Sequence, residues 1–170
     1  MWRIAPLAAV FAIAACGAPG GSSGGEEENL LDTVVTADAE ARNGNCSPSI
    51  DQIAAGFRSL FYDQGKVREA YETYVAEDYK QHNPMARDGR DAAIAFLEPI
   101  YERNPQHRMT VHRMIVKDPY IVVHLHGQNS PDDPGAAAVD ILRVEHCKIA
   151  EHWDVTQPVP ENAPNPNAMF

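Results

Sequence analysis

Two histidines and an aspartate set among valines and isoleucines are the residues of this 170-residue chain best placed to do chemistry. His124 and His126 stand in YIVVHLHGQ, and Asp140 follows in AAAVDILRV. Strand alternation puts Val122, His124 and His126 on one side and Ile121, Val123 and Leu125 on the other. The apolar flanks of Asp140 argue for burial. A buried carboxylate is costly unless paired or protonated, and apolar surroundings push its pKa toward the range where it can exchange protons with a substrate. If the neighbouring strand turns His126 or His124 to the same face, Asp140 becomes a general acid/base with an imidazole beside it. The same residues could equally form a structural triad that holds the sheet together and turns nothing over.

A metal site is the other use of this set, with His124, His126, Asp140 and His82 as ligands. A cupin would carry a glutamate a few residues past the second histidine, and none follows His126 in GQNSPDDPG, which weighs against a metal. A further group, Tyr79, Gln81, His82 and Asn83, precedes a helix and could close a pocket mouth and bind a carbonyl. Asn83-Pro84 is also a common turn opener. There is no Gly-rich phosphate loop and no Gly-x-Ser-x-Gly elbow. Cys147 has only Lys148 nearby to stabilise a thiolate, so it is no candidate nucleophile.

The elements that must position these residues follow from periodicity. After Ser47-Pro48-Ser49, apolar residues at Ile50, Ile53, Ala54, Phe57, Leu60 and Phe61 recur every three or four, which predicts a helix stopped near Gly65. A shorter helix is expected over Lys66 to Ala76. A polar loop then enters a third helix from Asp91 to Arg103, with Ala92, Ile94, Ala95 and Leu97 inward and Pro99 bending or breaking it. From His107 the period changes to two. His107–Lys117, Tyr120–Gln128, Ala136–His146 and Lys148–Gln157 read as strands joined by short links, hence as antiparallel neighbours. Helices followed by a meander make an α+β domain. A tight turn at His146-Cys147 sets Asp140 opposite Trp153 and Leu142 opposite Glu151, so Trp153 would share a face with Asp140.

The first fifteen residues, MWRIAPLAAVFAIAA, are a signal peptide: one positive charge, then an apolar run too short to span a bilayer. Ile13-Ala14-Ala15-Cys16 resembles a bacterial lipobox, which makes Cys16 the expected lipidation site and the membrane a partner. Residues 16–47 are rich in Gly, Ser and acid, and read as a tether; residues 48–170 are the domain. A net charge of −10 argues against a nucleic-acid partner. Cys46 and Cys147, an even pair in an oxidising envelope, are compatible with a disulfide.

Several short motifs occur in a fixed order: His82-Asn83-Pro84, Asp88-Gly89-Arg90, His124-x-His126, Val139-Asp140-Ile141 and His152-Trp153-Asp154. With them, residues from about Ile50 to Phe170 resemble the SnoaL-like polyketide cyclases and the predicted SnoaL-like aldol-condensation group of the nuclear transport factor 2-like superfamily. The resemblance implies a cone-shaped barrel in which N-terminal helices pack on a curved antiparallel sheet around an apolar pocket, with no cofactor. It implies that Asp140 is the proton-transfer aspartate, His126 its catalytic partner and His124 a polar neighbour, and His82 and Asn83 match the loop motif of the condensation group; Tyr79 beside them and Trp153, set with Asp140 by the hairpin register, complete the expected substrate-binding residues. The ligand would be a small apolar or carbonyl-containing molecule, and the outer sheet face would form a homodimer. Two functions fit: an aldol-type cyclase, lyase or isomerase, or a lipoprotein that only binds an apolar ligand.

Overall fold

Ser49 opens the first helix with a capping box: its hydroxyl accepts from the Gln52 N–H at 3.4 Å, and Gln52 Oε1 accepts from the Ser49 N–H at 2.9 Å. The computed structural model describes residues 46–170, so the expected signal peptide, Cys16 and the tether as far as residue 45 lie outside the described residues. Helix α1 (Ile50–Phe57) runs into a π-helical turn over Arg58–Asp63. The wider turn adds a residue to each repeat, so Phe57, Phe61 and Tyr62 all face inward and are buried. Gly65, at φ +67°, lets the chain reverse where a side chain would be strained and would collide with the Tyr101 ring.

Helix α2 covers Val67–Tyr74, and the chain then extends into strand β1, Val75–Gln81. The first part of the polar loop expected over residues 77–91 is thus strand, while residues 82–89 form the loop into the next helix. The strand's alternation is weak in sequence because only Val75 and Tyr79 are buried. Helix α3 (Arg90–Arg103) continues through Pro99; Ile94 is buried and Leu97 packs against the core as expected, while Ala93 rather than Ala92 is buried and Ala95 is exposed.

The four later strands fall where the period-two pattern puts them: β2 Arg108–Lys117, β3 Tyr120–Gln128, β4 Ala136–Glu145 and β5 Lys148–Pro158. The sheet order is β1-β5-β4-β3-β2. It is mixed rather than antiparallel throughout, since β1 pairs parallel to β5. It is also a curled open sheet rather than a closed barrel, with β1 and β2 as its edges. The helices cover its concave face, where Ile53, Ile94, Ile121, Val123, Val144 and Ile149 are almost completely buried. Each such side chain contributes about 1.5–3 kcal/mol of apolar burial.

Two details of β4 and β5 decide what faces inward. His146 and Cys147 both take positive φ (49° and 62°), the conformation of the tight hairpin turn whose twist matches its strands. Past that turn the pairing holds for Glu145–Lys148 and Val144–Ile149 and then slips, because Ala150 bulges out. Leu142 therefore faces His152, Ile141 faces Trp153 and Asp140 faces Asp154. The expected Asp140–Trp153 and Leu142–Glu151 pairs are corrected by this one extra residue. Cys147 is bonded to Cys46 with a Cα–Cα distance of 5.2 Å, pinning the chain ahead of α1 to the β4–β5 turn.

Candidate functional site

The concave face carries one well-formed pocket whose walls are apolar and whose polar groups lie together. Phe57, Phe61, Tyr71, Leu97, Met109 and Leu125 supply much of the wall of a cavity of about 160 Å³. Asp140, His152 and Asp154 project into it from β4 and β5, while Gln81 and Asn83 enter from the end of β1 and the loop after it.

Asp140 has a polar neighbour at each carboxylate oxygen. The Tyr62 hydroxyl donates to Asp140 Oδ2 at 2.6 Å, and His152 Nε2 lies 3.5 Å from Oδ1. Burial, then the neighbouring charge of Asp140 and the hydrogen bond to it, push the Tyr62 pKa well up, so Tyr62 remains a donor.

The other ring nitrogen of His152 is fixed by backbone chemistry. Gln81 Oε1 accepts from the Asn83 N–H at 2.9 Å, and since an amide N–H can only donate, that atom must be the Gln81 oxygen. His152 Nδ1, 2.8 Å from the same oxygen, must then carry its proton toward it. In the neutral imidazole this leaves Nε2 as a bare acceptor facing Asp140. Gln81 Nε2 donates to the Tyr79 hydroxyl at 3.2 Å, which in turn hydrogen-bonds Tyr71. Burial pushes the pKa of both phenols up. Asn83 Nδ2 donates to Asp154 Oδ2 at 2.5 Å.

The pocket thus unites Asp140 with Asn83 directly and with Tyr79 through Gln81 and His152, and it leaves out the other expected residues. His124 and His126 pair with Val139 and Ala137 on β4, on the convex side of the sheet, because the inward positions of β3 are Ile121, Val123 and Leu125. There Arg113 donates to His124 Nδ1 at 3.0 Å, and His126 donates to the Pro134 carbonyl at 2.8 Å. The Phe170 ring stacks on His126 (4.2 Å) and His112 (4.8 Å). His126 is therefore not the partner of Asp140, and His124 is not a pocket residue. Trp153 is convex too, stacked on His82 at 4.7 Å, and His82 Nε2 contacts Glu151 Oε1 at 2.8 Å. Burial raises the Glu151 pKa, but the hydrogen bonds and charges of His82 and Arg143 outweigh it and hold the carboxyl below its ordinary range.

Tyr62, His152 and Asp154 are the pocket residues that sequence reasoning missed. The usable signal for the last two was the alternation of His152 and Asp154 two residues apart, which the Ala150 bulge carries to the inner face. Tyr62 is brought inward by the π-helical turn, which a 3.6-residue repeat does not anticipate. Asp140, His152 and Asp154 each offer a ligand atom within 4.8 Å of the others, a spacing a divalent cation could bridge. The set weighed from sequence cannot do so, since His124 and His126 lie across the sheet from Asp140.

A family model described as "SnoaL-like domain" matches residues 61–152, more than half of the chain. No curated protein matches it. Among solved structures, a candidate isomerase of the SnoaL-like family from Agrobacterium tumefaciens aligns over 61% of this chain and 94% of its own, with 14% identity and a TM-score of 0.51. A candidate polyketide cyclase from Bacillus cereus shares 22% identity over 61% of this chain and 71% of its own (TM-score 0.51). A nuclear transport factor 2-like protein of unknown function from Cytophaga hutchinsonii shares 15% over 64% and 89% (TM-score 0.52). At these identities the likeness is one of fold.

Proposed function

Because this chain belongs to the SnoaL-like domain family, we propose that it is a small-molecule cyclase, lyase or isomerase working by proton transfer at Asp140 on an enolisable carbonyl compound. The observation that carries this reading is the grouping of Asp140, Tyr62 and His152 at the polar part of an otherwise apolar cavity. A cavity of about 160 Å³ encloses roughly one six-membered ring, so the reacting part of the substrate is small.

In this mechanism the Asp140 carboxylate takes the proton from the carbon next to the carbonyl. The resulting enolate attacks a second carbonyl carbon, or is reprotonated elsewhere for isomerisation. In the aldol case a carbon–carbon bond forms, the attacked carbonyl becomes an alkoxide, and that oxygen receives the proton Asp140 had taken. His152 Nε2, facing Asp140, shuttles the proton, while Tyr62 holds the carboxyl in place. No redox change occurs, and every proton removed is returned.

Residues 1–15 act as the signal, Cys16 carries the lipid, and the Gly/Ser-rich segment after it holds the domain off the envelope membrane; Ile13-Ala14-Ala15-Cys16 supports this. The mass of the mature protein, with or without diacylglycerol, tests it. Pairing of two copies through the convex face is supported by Ile115 and Val155, 63% and 72% exposed there.

The catalytic reading is tested by proton–deuterium exchange at the α-carbon of small cyclic ketones, followed by NMR. Wild-type protein should accelerate exchange. Asp140→Asn should lose roughly 100-fold and His152→Ala roughly 10-fold or more, while His126→Ala stays within about twofold. Binding without exchange in any ketone would leave the pocket a ligand-binding site only.

A further inference from the structure

The charge of the pocket is one-sided. Asp140 and Asp154 lie directly opposite each other on adjacent strands, an arrangement that like charges disfavour. Each is held by a neutral donor, Tyr62 for one and Asn83 for the other. Among the described residues that line the cavity there is no lysine or arginine, and His152 is the one group able to carry a positive charge. The basic residues of these two strands are turned away. Arg143 is committed to Glu145 and Glu151, and Lys148 donates to the Thr73 carbonyl.

Two carboxylates are thus set against at most one imidazolium in a half-open, mostly apolar pocket, where charges are screened less than on an exposed surface. A ligand bearing a carboxylate or phosphate would be repelled. The remaining lining suits the opposite sign, since Phe57, Phe61, Tyr62 and Tyr71 line the same cavity and aromatic rings attract cations.

Resting on the proposed function only in taking this cavity as the ligand site, we infer that the pocket selects amines in their ammonium form: a compact apolar body of about one ring, with Asp154 as the counter-charge. Asp140 and His152 do the proton chemistry, and Asp154, positioned by Asn83, sets specificity. Asp154 has one carboxylate oxygen on the Asn83 amide, so its other oxygen can accept from an ammonium group.

The test is a matched series on the intact protein by isothermal titration at neutral pH: benzylamine, benzyl alcohol and benzoate, which share a ring and differ in charge. Benzylamine should bind at least 10-fold more tightly than benzyl alcohol, with benzoate weakest. Asp154→Asn keeps an oxygen that can accept from Asn83, and it should bring benzylamine to within about twofold of benzyl alcohol measured in the same variant. Thr156→Lys, which adds a cation at an exposed lining position, should weaken benzylamine and admit benzoate and serves as a second variant. Benzoate binding as tightly as benzylamine, or an amine preference that survives Asp154→Asn, overturns the inference. The ketone exchange assay is independent of this series. Loss of exchange with a retained amine preference refutes the catalytic reading alone, and exchange without charge preference refutes this inference alone.

Discussion

The Tyr62 hydroxyl donates to Asp140 Oδ2 at 2.6 Å across 78 residues of sequence, joining the π-helical turn after α1 to the middle of β4. This bond lets a carboxyl group sit among apolar side chains, because a buried acceptor without a donor would cost several kcal/mol. It also fixes which oxygen of Asp140 is free to meet a substrate and His152.

Tyr62→Phe removes the donor and leaves the acceptor. The expected cost is about 1–3 kcal/mol of folding stability, read from the midpoint of urea unfolding. Combined with Asp140→Ala, the two losses should fall short of additive, since the second change removes the acceptor the first has already stranded. Strict additivity in the double-mutant cycle would mean that the bond contributes nothing to stability.

Alkaline pH acts on the same core. Burial, as the largest cause, raises the pKa of Tyr62, Tyr71, Tyr79 and Tyr101 above the ordinary 10.0, Tyr101 to about 12. A group whose pKa is higher when folded gives its full stabilisation below the unfolded value and loses it as pH rises toward the folded one. The urea midpoint should therefore show no loss from these four groups up to about pH 9.5 and should fall steeply above about 10. Absorbance at 295 nm should show these four of the six tyrosines ionising together with unfolding rather than before it.

The helices and the four later strands were legible because each carries a clean period; the face that meets the substrate was not. Tyr120–Gln128 and Asp140 sit in the strands expected of them, and Asp140 does point into the pocket. What could not be read was how the neighbours rotate. An unbroken hairpin register puts Trp153 on the face of Asp140, yet one bulged residue, Ala150, sends it outward against His82 and turns His152 and Asp154 in. Likewise His124 and His126 alternate correctly, but the burial of Ile121, Val123 and Leu125 gives the concave side to the aliphatic set. Strand β1 escaped notice because a parallel edge strand with two buried residues has almost no alternation to display.

The disulfide offers a test of how the amino-terminal part of the domain is held. Cys46 and Cys147 close a loop with a sequence separation of 101 residues, for which chain entropy alone gives roughly 4–5 kcal/mol. Replacing both with serine should lower stability by about 2–5 kcal/mol and leave the strands intact by circular dichroism. Thiol titration of the denatured, unreduced protein should find neither residue reactive. Full reactivity of both would show that the bridge does not form in solution.

Gln81 carries the last prediction. It touches no reacting atom in the mechanism, so its role is positioning: its oxygen takes the Asn83 N–H and the His152 Nδ1–H together, and thereby leaves Nε2 toward Asp140. Gln81→Leu deletes the acceptor while filling much of the same space. His152 should then populate the other tautomer, in which Nε2 already carries a hydrogen and cannot take a proton from Asp140. The α-proton exchange rate at saturation should fall roughly 10-fold while ketone affinity changes little, the pattern of a lost proton path rather than a lost binding contact. Nitrogen-15 shifts of the His152 ring should report an Nδ1–H imidazole in the wild type and a mixture in the variant. A wild-type ring protonated mainly at Nε2, or an unchanged tautomer in Gln81→Leu, would remove Gln81 from this role.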